Sequence, residues 1–593
     1  MSGNISGVKQ SKRRRRVRIH LSDGRVYAGE RDTALEKFLY EAFPNRNNPP
    51  IAGLVNDQLR ELSWPVDCDV KVKPIFLSDS DGIRIYCRSL SFLLIVAANE
   101  LYPQARLFID YSVPYGGYFC KVKGRKPFTA DELSRIKGRM NKLVEEDHPI
   151  LRKTLPIDEA RRLFEDREGW DKVRLLDGFN EEGLPVYSLN GFRDYFYGYM
   201  VPSTGYLTTF ALEHLLNGFI LRFPRREEPT RLRPPQRFSE LRKVFWEYGE
   251  WLDRVGVGNV GALNESIRSG GIKRVVLVSE ALHEQRIAQI AHTLVKRMNR
   301  GHRLILIAGP SSSGKTTFAK RLAIQLLVQG LNPYLLGMDD FFLPRANTDK
   351  GADGAHDFDS LSALDLPLFR ESLYALLTGE EVTLPHYDFI TGQRETGPTV
   401  KLGPMQPLLV EGIHGLNPQL IEKIPQEQIF KIFVSALTQL NLDSHNRVPT
   451  TDTRLIRRIV RDALCRGYSA EEAISIWEGV RRGEKQNIFP YQEQADVMFN
   501  SALVYELAVL KPLVEPLLLQ VKMAEERIEA ERLLAFLRWF EPCATEVIPK
   551  NSILREFIGH SILDELTWYH DFVFRKRKEK NEHRKGEGQS GMD

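Results

Sequence analysis

One nine-residue run, Gly309-Pro310-Ser311-Ser312-Ser313-Gly314-Lys315-Thr316-Thr317, constrains this chain more than any other segment. It follows the apolar stretch Leu304-Ile305-Leu306-Ile307-Ala308 and opens a helix-patterned stretch that ends near Gly330. A G-x-x-x-x-G-K-T sequence between a buried strand and a helix is a phosphate-binding loop in the context the motif requires. Small residues let backbone N–H groups curl around phosphate oxygens, and the helix N-terminus adds positive potential. All nine residues are expected to hold ATP with Mg²⁺. Lys315, on a loop expected to face solvent, reaches the β- and γ-phosphates, and the Thr316 hydroxyl ligates Mg²⁺.

The surrounding pattern predicts a parallel α/β sheet. A second strand, Pro333–Gly337, follows the loop helix directly, and strand and helix signals alternate to about Val521. Ligand groups in such sheets lie at the carboxyl ends of strands. Leu408-Leu409-Val410-Glu411-Gly412 is a short apolar strand ending in a carboxylate, so Glu411 is the candidate second Mg²⁺ ligand. Met338-Asp339-Asp340-Phe341-Phe342 ends the second strand. A phosphoryl transfer to a hydroxyl needs a carboxylate to accept its proton, and Asp339 is the first candidate, with Asp340 next and Asp359 behind them. Thr453–Asp462 sets Arg454, Arg457 or Arg458, and Arg461 along one helical face, a lid whose guanidiniums clamp the moving phosphoryl group. Arg458 and Arg461 are its catalytic candidates, and Arg466 extends it.

These motifs together resemble the uridine kinase and phosphoribulokinase family over roughly residues 303–521. The matching features are GPSSSGKTT, MDDFF, Phe358-Asp359, Pro385-His386-Tyr387-Asp388-Phe389 with Arg394, LLVEGIHG and TRLIRRIVRD. The resemblance implies that Asp339 is the catalytic base and that Phe342 faces a nucleobase. It further implies that Asp359, Tyr387, Arg394 and Arg454 contact the substrate, a nucleoside phosphorylated at its 5′-hydroxyl. Two positions depart from the family: Gly392 stands where uridine kinases usually carry His, and Phe342 where they carry Tyr. Both changes remove polar contacts to the base.

The N-terminal half resembles a different family. Residues 17–75 resemble the TGS module of threonyl-tRNA synthetases, a ubiquitin-like β-grasp domain. Residues 84–215 resemble the editing region of those enzymes through RSLSFLLIVAANELYPQARL, the helix FTADELSRIKGRMNKLVEEDHPILR and NGFRDYFYGYMVPSTG. In that helix Leu133, Ile136, Met140, Leu143 and Val144 share a face, and Thr129 with Glu132 has capping-box spacing. The family's four metal-like ligand places hold Arg88, Phe92, Phe196 and Met200 here, so neither a zinc site nor editing chemistry is expected. The length after residue 215 is taken up by the kinase-like block, so no aminoacylation domain is expected.

The resulting reading is multidomain. Residues 1–14 form a basic tail, 15–78 a TGS-like α+β domain, 79–250 the editing-like α+β region, and 251–300 a connector with a helix. Residues 301–521 form the α/β P-loop domain, and 522–593 a helical extension, with 523–572 reading as helical, followed by a disordered tail. Ser279–Asn299 reads as a long amphipathic helix. The 593 residues carry 83 Lys and Arg against 78 Asp and Glu, a net +5 too small to make nucleic-acid binding the default. The basic run Lys12–Arg16 and the TGS-like module still leave an RNA contact as an expectation, and an RNA- or ribosome-associated protein with a regulatory ATPase as one rival reading. A kinase for another metabolite, such as a sugar phosphate or pantothenate, is the second. Five scattered cysteines without a CxxC pair, no span long enough for a bilayer, and no apolar signal region point to a soluble cytoplasmic protein without a membrane contact.

Overall fold

A computed structural model describes residues 15–45, 48–179, 181–298, 301–348, 358–388 and 391–564. The tail 1–14, Phe389 and the tail beyond Arg575 lie outside the described residues.

Five parallel strands form the sheet of the C-terminal half, in the order Tyr334–Gly337, Leu408–Glu411, Leu304–Ala308, Ile429–Ser435, Val497–Asn500. Every residue of the central strand Leu304–Ala308 is buried because both sheet faces are covered. Ile305 and Ile307 point into a core with Phe318, Leu322 and Leu326 of the loop helix Lys315–Val328. Leu304 and Leu306 point the other way, against Leu336, Phe369 and Leu373. The alternation follows from the two-residue repeat of a strand. An antiparallel ribbon, Glu381–Asp388 with Gln393–Lys401, projects beside this sheet.

The N-terminal segment folds as a five-stranded sheet in the order Val26–Glu30, Arg16–Leu21, Val70–Ile75, Ala52–Val55, Gln58–Glu61, with Leu35–Ala42 packed on it. The first two strands form an antiparallel hairpin, and Arg16–Leu21 pairs in parallel with Val70–Ile75, the mixed sheet of a β-grasp. The helix Ser80–Leu101 then forms the core of the next region, against the sheet Ala211–Leu215, Gly218–Arg222, Gly117–Lys123, Arg106–Ser112. The helix Ala130–Glu145 carries both bonds of the Thr129–Glu132 capping box.

Three helices lie between the halves: Ser239–Val255, Val260–Arg268 and Ile272–Met298. The last starts seven residues before the Ser279 expected from sequence. Its β-branched start Ile272-Lys273-Arg274-Val275-Val276 is weak in helix propensity but buries Ile272, Val275 and Val276, and packing decides. Up to Asp564 the C-terminal extension corrects the expectation of a helix over 523–572, and residues 565–572 of that stretch lie outside the described residues. Ala524–Leu537 is helical, but Pro542 and Pro549 break the chain beyond it into irregular structure with short turns at Thr545–Val547 and Arg555–Ile558.

The halves are joined by a polar seam. The loop between Ile429–Ser435 and the helix Thr450–Cys465 lies on the editing-like region. Ile109 N donates to Ser444 O at 2.9 Å, Asn446 Nδ2 to Tyr195 O at 3.0 Å, and Ser444 N to Asp171 at 2.7 Å. Buried Lys172 lies 3.1 Å from Asp194 and 3.0 Å from Asp443, and His445 Nδ1 is 2.5 Å from Asp194. The Asp443, Asp194 and Lys172 side chains are almost fully enclosed, which such charges tolerate only when mutually paired.

Among the described residues no helix is long and apolar enough to cross a membrane.

Candidate active site

The phosphate loop is shaped by its glycines. A Cβ on Gly309 would lie 1.9 Å from Val434 O, so no side chain fits there. Gly314 has φ +83°, and a Cβ there would also meet Ile553. Among the described residues, the buried Ser312 and Ser313 hydroxyls have no hydrogen-bond partner. Lys315 departs from the expectation of a solvent-facing side chain: it is buried, and Nζ folds back to donate to Pro310 O at 3.2 Å. The loop itself supplies a carbonyl to this ammonium.

Three adjacent strand ends bring the chemical groups together. Thr316, in the first turn of the loop helix, donates its hydroxyl to Glu411 Oε1 at 2.9 Å. Glu411 ends the strand beside the loop, and Gly412 follows because a Cβ there would collide with the Met338 side chain. Burial and then the Asp339 charge push the Glu411 carboxyl well above its ordinary range, with Lys315 pulling against them. Asp339 sits in the short turn Met338–Phe341 at the next strand end. Burial raises its carboxyl too, against the pull of Lys315, Arg466 and Arg461. Two half-buried carboxyls with raised proton affinity thus stand beside the Lys315 ammonium.

Asp340 is engaged differently. It accepts from His386 Nδ1 at 2.9 Å and from Tyr387 N at 3.3 Å, which fastens the ribbon to the sheet. Phe342 is buried in an aromatic group, its ring 5.6 Å from Phe358 and 5.7 Å from Tyr387, both edge-on. Arg345 covers Gly392, where a Cβ would lie 2.9 Å from its Nε, and it stands beside the Tyr387 hydroxyl. It thus fills space that a histidine side chain would take. Asp359 packs on Gly483, and its carbonyl accepts from Asn487 Nδ2 at 3.1 Å. Arg394 pairs with Asp365 at 2.7 Å, which also caps the helix Leu366–Thr378.

The arginine helix Thr450–Cys465 divides into two sets. Arg454 and Arg457 are fully buried beneath the loop. Arg454 pairs with both oxygens of Glu484 and donates to Ser311 O at 3.1 Å. Arg457 pairs with Glu506 and donates to Ser501 O at 2.8 Å. Arg458 and Arg461 lie nearer the surface, Arg458 donating to the Ser311 hydroxyl at 3.1 Å. Arg458, Arg461 and Arg466 share the buried carboxylate of Asp462. Sequence reading did not single out Glu484 or Glu556 as partners of the loop, nor Glu506 as the partner of Arg457 beneath it; each is far from its partner in sequence, and no local spacing announces them.

The four residues that the synthetase resemblance sets at metal-ligand places make packing and backbone contacts instead. Arg88 Nη1 donates to Tyr199 O at 2.6 Å, and its guanidinium lies against Gly198. Phe92 and Phe196 pack edge-on with centroids 5.5 Å apart, and Phe196 stacks on His445. Met200 is buried in the same core.

Comparison with known proteins divides the chain in the same way. The N-terminal part is similar to threonine–tRNA ligases. That of Burkholderia lata is 30% identical over 197 residues, 33% of this chain and 31% of the ligase. That of Marinobacter nauticus is 33% identical over 170 residues, 28% of this chain and 26% of the ligase. The chain thus spans about a third or less of the length of these relatives. Among solved structures, a possible uridine kinase from Bacillus stearothermophilus is 21% identical with TM-score 0.26, covering 36% of this chain and 98% of that one. A candidate fructose transport system kinase from Silicibacter sp. has the same identity and coverage with TM-score 0.27. Residues 304–508 match the family model described as Phosphoribulokinase / Uridine kinase family, so the chain joins a region similar to that kinase family to an N-terminal part similar to threonine–tRNA ligases.

Proposed function

We propose that this chain is an ATP-dependent phosphotransferase that moves the γ-phosphoryl group to the 5′-hydroxyl of a nucleoside, and that its N-terminal half is non-catalytic. The observation that supports it most is the convergence of Lys315, Thr316, Glu411 and Asp339 at adjoining strand ends. The glycine cradle, with no room for a Cβ at Gly309, fits a phosphate chain. A hydroxyl beside a carboxylate is a hard-oxygen donor pair suited to Mg²⁺. When bound, Mg²⁺ neutralises charge on the β- and γ-oxygens.

The residues then divide the work. The loop N–H groups and Lys315 hold the phosphates, and Lys315 exchanges the Pro310 carbonyl for a phosphate oxygen. The Asp339 carboxylate, without a hydrogen-bonded partner among the described residues, orients the acceptor hydroxyl and takes its proton. Its burial raises its proton affinity, which suits a base. Arg458 and Arg461 face the charge that develops on the transferred group, while Arg454 and Arg457 hold the loop from beneath. Most of the rate gain in such a site is positioning and electrostatics. The Phe342, Phe358 and Tyr387 group offers a nucleobase aromatic edges and little polar selection, so several nucleosides are accepted. The test is ADP formation by the purified chain against a panel of nucleosides, with a sugar phosphate and pantothenate as competing acceptors. Turnover with nucleosides supports the assignment, and turnover only with another acceptor replaces it.

A further inference from the structure

Among the described residues, three carboxylates bond to the phosphate loop. Glu411 holds the Thr316 hydroxyl. Glu484 accepts from Ser311 N at 3.0 Å but is fully buried and clamped by both Arg454 nitrogens, which fixes it in place. Glu556 comes from the C-terminal extension, 239 residues away in sequence. Its Oε2 accepts from Thr317 N at 3.1 Å and from Thr317 Oγ1 at 2.8 Å. Among the described residues no cation pairs with Glu556.

Thr317 lies in the first turn of the loop helix, where the N–H groups have no partner within the helix. These donors cradle phosphate oxygens in a loop of this kind. An anionic side chain on them is favoured by the same helix field that favours a phosphate. Carboxylate and phosphate cannot both use the Thr317 donors, and their like charges repel. The backbone under Glu556 is firmly placed. Ile553 lies against Gly314, the Phe557 ring lies 4.9 Å under the Arg457 guanidinium, and Arg555 donates to Thr545 O at 3.0 Å. Only the half-buried Glu556 side chain has to swing away.

We propose that Glu556 is an affinity-determining residue of the nucleotide site: it occupies the Thr317 donors in the nucleotide-free chain and must be displaced by a phosphate. The C-terminal extension thereby sets how tightly nucleotide binds. This rests on reading the loop as an ATP site.

The experiment is calorimetric titration of the intact chain with the Mg²⁺ complex of a non-hydrolysable ATP analogue. It compares wild type, Glu556→Ala, Glu556→Gln and Lys315→Ala. Removing a charge-assisted competitor worth about 1.4 kcal/mol corresponds to about tenfold tighter binding. Glu556→Ala is expected to show that gain, and the isosteric Glu556→Gln a smaller gain of the same sign. Equal or weaker binding by both Glu556 variants, alongside Lys315-dependent binding by wild type, would overturn the proposal and leave the ATP reading intact. Binding absent from wild type and both Glu556 variants would overturn both. Should Glu556→Ala fail to fold, Glu556→Gln decides alone, because it keeps the shape and loses only the charge.

Discussion

Arg532 Nη1 donates to Asp452 Oδ2 at 2.7 Å, tying the C-terminal helix Ala524–Leu537 to the first turn of the arginine helix. The same guanidinium grips Glu529 through two nitrogens at 2.9 and 2.7 Å. Glu529 in turn accepts from both terminal nitrogens of Arg84, at 3.0 and 3.2 Å, on the editing-like helix Ser80–Leu101. N-terminal half, C-terminal extension and arginine helix are thus fastened at one ionic junction. Arg532→Ala leaves Asp452, almost fully buried, and Glu529 short of countercharge. With Arg532 still partly exposed, the expected loss is about 2–3 kcal/mol, below the full cost of breaking a buried pair. Urea unfolding of the variant measures it, and an unchanged midpoint would show that the junction contributes nothing.

The seam between the halves carries a pH signature. Burial opposes the charge on Asp194, but Lys172 and then His445 outweigh it and hold the carboxyl below its ordinary range. A carboxyl depressed in the folded state contributes stability that is complete above its unfolded pKa, about 4. That stability is lost as pH falls through the lower folded value. Wild-type stability should therefore hold between pH 7 and 5 as far as this group is concerned and decline below about pH 4. Asp194→Asn should flatten that decline while lowering stability at neutral pH. Urea midpoints at a series of pH values test it, and parallel curves for the two proteins would refute it.

The purified chain should bind no stoichiometric zinc in its N-terminal half. Guanidinium and phenyl groups replace three ligand places, and one buried thioether cannot form a site. Metal analysis after chelator-free purification checks this; one zinc per chain lost on mutating this region would contradict it.

Lys315→Ala should remove phosphoryl transfer while the chain stays folded. Although Lys315 is buried, its ammonium has one weak hydrogen-bond partner among the described residues, the Pro310 carbonyl at 3.2 Å. Circular dichroism and a thermal midpoint near wild type should accompany the lost turnover.

The phosphate loop was readable because its information is local: a strand, small residues, a lysine and a helix start within about fifteen positions. The sheet around it was readable for the same reason, from apolar runs ending in Asp339 and Glu411. The capping box at Thr129 is likewise short-range. What sequence did not display was long-range. The spacing of the arginine helix put Arg454, Arg457 or Arg458, and Arg461 on one face as a lid. Burial instead separates Arg454 and Arg457, which meet Glu484 and Glu506, from Arg458 and Arg461. No periodicity reveals a partner thirty or fifty residues away. The early start of Ile272–Met298 was hidden by β-branched residues whose weak helix preference is overruled by burial.

The central claim is that Asp339 serves the acceptor hydroxyl while its neighbour Asp340 fastens the ribbon through His386 and Tyr387. The most direct measurement is transfer of labelled γ-phosphate from ATP to a nucleoside by wild type, Asp339→Asn and Asp340→Asn, with ATP-analogue binding recorded for each. Loss of general-base assistance costs roughly 10²–10⁴ in rate. Asp339→Asn is expected to lose turnover in that range with ATP-analogue affinity changed little, and Asp340→Asn to keep more of its turnover with a lower thermal midpoint. Near wild-type turnover in Asp339→Asn, or the large loss appearing in Asp340→Asn alone, would contradict the assignment.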